Sequence, residues 1–108
     1  MLQKLREANI IRQKEWAGDV VLDASFAGNE LAGEVGEACN VVKKLERQRL
    51  GIKSTDETVE HLAEELADIV ICVDLLAMKY DIDLAKVVPS KFNQTSKKMG
   101  LSTLMETQ

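Results

Sequence analysis

Residues 66–78 read LADIVICVDLLAM, and this stretch decides the fold. Only Asp68 and Asp74 interrupt its apolar run, a pattern typical of a helix that protein covers on several sides. Three further helices in a chain of 108 residues hardly suffice to cover it. We therefore expect the second and third helices to form a core four-helix bundle that is completed by a second copy of the chain.

The rest of the chain also has a helical pattern, because the apolar and polar alternation of strands is scarce. We predict an all-α fold with four main helices. The first covers about residues 2–20, and the second about residues 29–50. The third follows a loop at residues 51–56 and ends near residue 80, and the fourth ends near residue 98.

Several residues are suited to begin or end these helices. Gly51 ends the second helix, because glycine adopts the left-handed conformation at low cost. Ser54 and Glu57 form a capping box for the third helix, and Asp83 caps the fourth. Pro89, the only proline, either kinks the fourth helix or starts it afresh.

Length and composition favour a single domain over residues 1–100, with residues 101–108 as a flexible tail. No apolar run approaches the roughly 20 residues that span a bilayer, and residues 1–16 are charged throughout, unlike a signal peptide. We expect a cytoplasmic protein with reduced core thiols at Cys39 and Cys72. The net charge of −4 argues against a nucleic-acid partner, and we expect no membrane partner.

Acidic residues border the apolar stripes of the second and third helices. Glu34 and Glu37 lie beside the stripe of the second helix, and Glu65 and Asp68 beside that of the third. The expected stripes are Leu31, Val35, Ala38 and Val42 on the second helix, and Leu62, Leu66, Ile69, Val73 and Leu76 on the third. No lysine or arginine occurs at residues 16–42 or 54–78, so local ion pairs do not explain these acids.

A polyvalent cation would explain them if the two acidic borders face each other. An ionised carboxylate within an apolar run, such as Asp68, needs a partner from elsewhere in the molecule. Four converging carboxylates are tolerable around a hard cation with oxygen ligands, which predicts Mg²⁺, with Mn²⁺ as a substitute. His61, the only histidine, is interpreted as a helix-surface residue.

Another interpretation remains open, because glutamates at spacings of three or four are common on solvated helix faces. The chain would then be a non-catalytic helical dimer, an interaction module whose last helix meets an acidic partner. Residues 84–105 contain lysines but no acid. Lysines around a carboxylate-bound metal are equally suited to a polyphosphate.

The order of the motifs resembles a known family. EVGE at residues 34–37, followed after 27 residues by ELAD at residues 65–68, resembles the E-x-x-E and E-x-x-D signature of the all-α nucleoside triphosphate pyrophosphohydrolases, the MazG-like superfamily. The likeness extends to RQKEW at residues 12–16, EELADIVICVDLLA at residues 64–77 and KFNQTSKKMGL at residues 91–101.

The resemblance implies Mg²⁺-dependent hydrolysis of a nucleoside or deoxynucleoside triphosphate to the monophosphate and pyrophosphate, in the service of nucleotide-pool cleaning. It implies that one of the four carboxylates also orients or deprotonates the attacking water. The residues that it assigns are Glu34, Glu37, Glu65 and Asp68 as catalytic metal ligands, Lys44, Lys91 and Lys98 as phosphate-binding residues, and Trp16 and Arg12 as base-binding residues.

The resemblance also implies assembly as a dimer or a dimer of dimers. Two positions depart from the family pattern. Many relatives have a glutamate where Gly33 stands, and many have an asparagine where Thr95 stands. A hydrolase of the same fold that acts on a phosphoribosyl nucleotide is the remaining alternative.

Overall fold

The computed structural model describes residues 1–107 and consists of four α-helices. In chain order they are α1 (Leu2–Ala17), α2 (Ala24–Arg49), α3 (Val59–Met78) and α4 (Leu84–Lys98). No strand occurs among the described residues, so the predicted all-α fold of four helices is confirmed. None of these helices is both long enough and apolar enough to cross a membrane.

The observed caps differ from the predicted ones at two helices. α2 begins at residue 24 instead of residue 29, because the side chain of Asp23 accepts a hydrogen bond from the backbone N–H of Phe26 at 2.8 Å. α3 is capped by Thr58, whose hydroxyl accepts from the backbone N–H of His61 at 3.0 Å, so the predicted cap at Ser54 is wrong. The predicted cap at Asp83 is confirmed.

α2 and α3 form an antiparallel pair that is the centre of the fold. At one end of the pair the Cys72 thiol lies 3.8 Å from a carboxylate oxygen of Glu30. At the other end Lys44 Nζ lies 4.0 Å from a carboxylate oxygen of Glu57. Positions late in α2 therefore face positions early in α3, which brings their acidic segments side by side in the middle.

A buried ion pair attaches α1 to α3. Asp74 is 0% exposed, and Arg6 Nε donates to its two carboxylate oxygens at 3.0 and 3.2 Å. Asn9 Nδ2 donates to the same carboxylate at 3.0 Å and to the carbonyl oxygen of Ile71 at 3.3 Å. Arg6 also donates to the carbonyl oxygen of Ile82 at 2.6 Å. α4 in turn packs against α1.

The apolar residues that are buried in the single chain are small. Larger apolar residues of α2 and α3 face outward. Among residues 1–107 the buried apolar residues are Ala27, Ala38, Val41, Cys72, Ala77 and Pro89, of which only Ala38 belongs to the expected stripes. Val35 and Val42 of the expected α2 stripe and Leu66 and Val73 of the expected α3 stripe are exposed in the single chain, as is Cys39. The contact between α2 and α3 uses the neighbouring face, where the acidic residues lie.

The chain is extended for its length. Its Cα radius of gyration is 17.3 Å, whereas a compact domain of this length has a radius of about 13 Å. Beyond α4, Met105 exchanges two backbone hydrogen bonds with the side chain of Asn93, at 2.7 and 2.9 Å. Gln108, the last residue of the predicted tail, lies outside the described residues.

Candidate metal centre

Three of the four predicted carboxylates meet between α2 and α3. One oxygen each of Glu34, Glu37 and Glu65 lies within 4.8 Å of the others. The three-residue spacing on α2 puts Glu34 and Glu37 on one side of the helix, and the antiparallel partner supplies Glu65. Asp68, one turn along α3, is exposed, and together with Glu34 it lines a cavity next to the cluster.

Two oxygens of this cluster are buried and have no hydrogen-bond partner among the described residues. They are Oε2 of Glu34 and Oε2 of Glu65, and Glu65 as a whole is only 9% exposed. A buried carboxylate oxygen without a donor is costly, because it has lost water and gained nothing in exchange. A divalent cation would satisfy both oxygens, and an all-oxygen donor set fits Mg²⁺.

The electrostatics of Glu34 agree with this fit. Partial burial raises the pKa of Glu34 above its usual range, and the negative charges of Glu37, Asp68 and Glu65 raise it further. The ionised carboxylates of the cluster therefore repel one another. A cation at their centre would attract each of them and offset this repulsion. The residues that would hold a metal are Glu34, Glu37 and Glu65, with Asp68 at the edge.

His61 contacts the carboxylate cluster, which was not predicted from the sequence. Its Nδ1 lies 2.7 Å from Oε1 of Glu57, and its Nε2 lies 3.1 Å from Oε1 of Glu65. The hydrogen bond to Glu57, and secondarily Glu65, raises the pKa of His61. The spacing of residues 57, 61 and 65 on one helix face was the available signal. The interpretation of His61 as a surface residue overlooked it, although the side chain remains partly exposed.

The predicted base-binding residues line a cavity of about 420 Å³ enclosed by α1, α2 and α3. Trp16 and Arg12 form part of its wall, and Glu34 and Asp68 form another part. Phe26 lies opposite Trp16, with the ring centroids 6.3 Å apart and the planes inclined by 52°. Phe26 was not predicted as part of this site, because residue 26 was expected to lie between the first and second helices. We name this space the aromatic cavity.

Cys72 also lines the aromatic cavity but is not a nucleophile. Burial, together with the charges of Glu30 and Glu34, raises the pKa of its thiol to about 11. The protonated thiol donates to a carboxylate oxygen of Glu30 at 3.8 Å. Catalysis through a thiolate at neutral pH is therefore excluded here.

The three predicted phosphate-binding lysines are not brought together within one chain. Lys44 lines a second cavity, of about 500 Å³, where α2 leads into α3. Lys91 and Lys98 are exposed on α4, which packs against α1, and they line neither of the two cavities. Their assignment to phosphate remains a prediction.

Comparison with known families agrees with this arrangement. The family model described as the MazG nucleotide pyrophosphohydrolase domain matches residues 24–100, well over half of the chain. The matched segment contains the four predicted carboxylates, and it leaves out all of α1 with Arg12 and Trp16. No curated protein and no solved structure matches the chain significantly. On the strength of the family match, the chain belongs to the MazG nucleotide pyrophosphohydrolase domain family.

Proposed function

We propose that this protein is a Mg²⁺-dependent pyrophosphohydrolase of nucleoside or deoxynucleoside triphosphates. The oxygen of a water molecule bonds to the α-phosphorus, and the bond from that phosphorus to the bridging oxygen of the β-phosphate breaks. The products are the monophosphate and pyrophosphate, and the proton of the water passes to solvent. The observation that carries the proposal is the pair of buried, unpartnered oxygens of Glu34 and Glu65, which fit a divalent cation.

The proposed role of each residue follows from its position in the structure. Glu34, Glu37 and Glu65 would hold Mg²⁺, and Asp68 lies at the mouth of the cluster. A bound divalent cation would supply neutralisation of charge on the phosphate oxygens. One carboxylate of this group orients the attacking water and accepts its proton. The base enters the aromatic cavity, where Trp16 offers a flat face for stacking.

The direct test incubates the protein with Mg²⁺ and a panel of NTPs, dNTPs and phosphoribosyl nucleotides. We expect pyrophosphate and a nucleoside monophosphate in equal amounts from the triphosphates. Release of orthophosphate with a diphosphate would contradict the proposed reaction. Turnover of the phosphoribosyl nucleotides alone would replace the proposed substrate class with the alternative one.

Variants of the cluster test the assignment of the site. Glu37→Gln and Asp68→Asn should each lower kcat by at least about 100-fold while the circular dichroism spectrum is unchanged. Glu64→Gln is the matched control, because Glu64 is exposed beside Glu65 on α3 but belongs neither to the three-carboxylate cluster nor to the cavity wall that Asp68 lines. Full activity in both cluster variants would remove the metal-site assignment.

We further infer that the protein is a homodimer or a dimer of dimers. Two apolar stripes at the spacing of core residues face outward, Val35–Cys39–Val42 on α2 and Leu66–Val70–Val73 on α3. Packing these stripes against a second copy gives the four-helix bundle that the sequence predicts. The extended shape of the single chain supports the same assembly. Removal of noncanonical or surplus nucleotides from the cytoplasmic pool is the role that the family resemblance suggests.

A further inference from the structure

Three features follow one another along the antiparallel α2–α3 pair. The aromatic cavity lies at the end that contains Phe26 of α2 and Leu75 of α3. The carboxylate cluster occupies the middle. The second cavity lies at the other end, where Lys44 and Arg47 of α2 meet His61 of α3 and the connecting loop. The carboxylates therefore separate an aromatic cavity from a polar one.

The lining of the second cavity is basic. Lys44, Arg47 and Lys53 contribute three cations against the two carboxylates of Asp56 and Glu57, and Ser54 and Thr55 contribute hydroxyl groups. We name this space the cation cavity. Its volume of about 500 Å³ is within the usual range of ligand sites.

The acids in the wall of the cation cavity do not neutralise all of these cations. Glu57 is already engaged, with one oxygen 2.7 Å from His61 and the other 4.0 Å from Lys44. Arg47 and Lys53 form no ion pair within residues 1–107, whereas nearby Arg49 pairs with Glu46 at 3.0 Å. Arg47 and Lys53 thus line the cavity without an ion pair, as does one acid, Asp56, and the three cations exceed the two acids by one positive charge, which suits an anion.

The loop that forms the far wall is held in place by its own hydrogen bonds. Gln48 Oε1 accepts from the backbone N–H of Thr55 at 2.9 Å, and the carbonyl oxygen of Arg47 accepts from the backbone N–H of Ile52 at 2.9 Å. Gly51, with φ +74°, makes the left-handed turn that allows this return. Lys53 and Thr55 are therefore placed by the backbone of the turn.

The cation cavity is close enough to the cluster to share a ligand with it. Lys44 follows Glu37 by seven residues, which is about 10 Å along a helix. On α3, His61 joins the two places directly, since it lines the cation cavity and contacts Glu65.

We propose that the cation cavity binds the β- and γ-phosphates of the substrate and then the leaving pyrophosphate, with Arg47 and Lys53 as its anion-binding residues. This inference rests on the proposed pyrophosphohydrolase function. A triphosphate with its base in the aromatic cavity and its terminal phosphates in the cation cavity has its α-phosphate at the carboxylates. When the bond between the α-phosphorus and the bridging oxygen breaks, the electron pair remains on the pyrophosphate, whose added charge the two cations offset.

Product inhibition tests the proposal with the variants Arg47→Gln, Lys53→Gln and the double variant. Each single variant should raise the inhibition constant of pyrophosphate about tenfold, which corresponds to the loss of one charged hydrogen bond. The inhibition constant of the nucleoside monophosphate should not change, because the monophosphate does not reach the cation cavity. Lys97→Gln is the control, since Lys97 is an exposed lysine of α4 that lines neither cavity.

Calorimetric titration of pyrophosphate into the full-length protein with Mg²⁺ separates this proposal from the proposed function, because it needs no turnover. Binding that weakens in the double variant supports the cation cavity, even if the wild-type protein hydrolyses no nucleotide. An unchanged pyrophosphate affinity in the double variant overturns the cation cavity, even if the wild-type protein is an active pyrophosphohydrolase. The single variant Lys53→Gln changes an exposed side chain and gives the same readout, so the proposal is still tested if the double variant, which also changes the half-buried Arg47, folds poorly.

Discussion

At the level of single residues, His61 contacts only one of the two carboxylate oxygens of Glu65. Oε1 of Glu65 contacts His61, and Oε2 is buried without a partner beside Glu34. Contacts of this kind orient a metal-binding carboxylate, and their loss commonly weakens metal affinity by about 10–100-fold. His61 is therefore expected to act as a positioning residue for the metal centre.

His61→Gln should weaken Mn²⁺ binding to the protein by about tenfold or more, measured by electron paramagnetic resonance or calorimetry. At saturating metal the kcat should fall by a much smaller factor, because the carboxylates themselves are intact. Glu60→Gln, an exposed change in the first turn of α3, is the control. Equal metal affinity in wild type and His61→Gln would contradict the positioning role.

The same histidine predicts how stability depends on pH in the metal-free protein. The pKa of His61 is raised by Glu57 and Glu65, and that of Glu57 is lowered by His61. The stabilisation from His61 is fully present below its unfolded pKa of about 6.5, and it is lost as pH rises through the raised folded pKa. Protonation of Glu57 removes the pair again in acid. Wild type should therefore exceed His61→Gln in Tm more at pH 5.5 than at pH 8.5, and a difference that grew with pH would oppose this account.

At the level of elements, the attachment of α1 depends on the ion pair between Arg6 and Asp74. Removing only one of these two charges should lower the stability of the fold. Arg6→Met would leave Asp74 buried and ionised without its main partner, at a cost of about 3 kcal/mol in the free energy of unfolding. The double variant Arg6→Met/Asp74→Leu should recover much of this loss, because both charges are gone. Urea denaturation of the two variants measures the difference, and equal stabilities would argue against a buried ion pair.

Element boundaries show what the sequence was able to predict. Spacing alone identified Glu34, Glu37 and Glu65, because carboxylates three residues apart on paired helices must share a face. It also identified Asp83 as a cap. The start of α2 was predicted wrongly. The small residues at positions 22–29 are typical of a turn, but Asp23 caps a helix that begins within them.

The apolar pattern alone also did not determine which side of each helix is covered. Val42 and Leu66 have the spacing of core residues, yet they are exposed in one chain, because α2 and α3 meet across the neighbouring face. Asp68 was expected to be the buried acid of α3, but it is exposed, and the buried acids of α3 are Glu65 and Asp74. The ion pair that neutralises Asp74 comes from Arg6, 68 positions away, and periodicity within a single helix contains no information on such a partner.

At the level of the whole molecule, the exposed stripes of α2 and α3 predict a specific interface. Val70 lies at the centre of the α3 stripe. Val70→Lys would place a charge in the middle of the bundle, so it should raise the dissociation constant of the dimer by about 100-fold or more, measured by sedimentation equilibrium. Val87→Lys, a change of an equally exposed valine on α4, should leave the dimer intact. A monomeric wild-type protein, or a dimeric Val70→Lys variant, would contradict this interface.

The attachment of α1 through Asp74 has a consequence for how this fold can diversify. α1 supplies Trp16 and Arg12 to the aromatic cavity, yet it lies outside the segment that matches the family, which contains every carboxylate of the cluster. Under the proposed function, α1 would therefore contribute to base contact while the carboxylates of α2 and α3 act on the phosphates, and the buried Arg6–Asp74 pair holds these pieces of chain together. Substitutions in α1 that keep Arg6 would then be expected to change which nucleotide binds while the carboxylates of α2 and α3 stay in place.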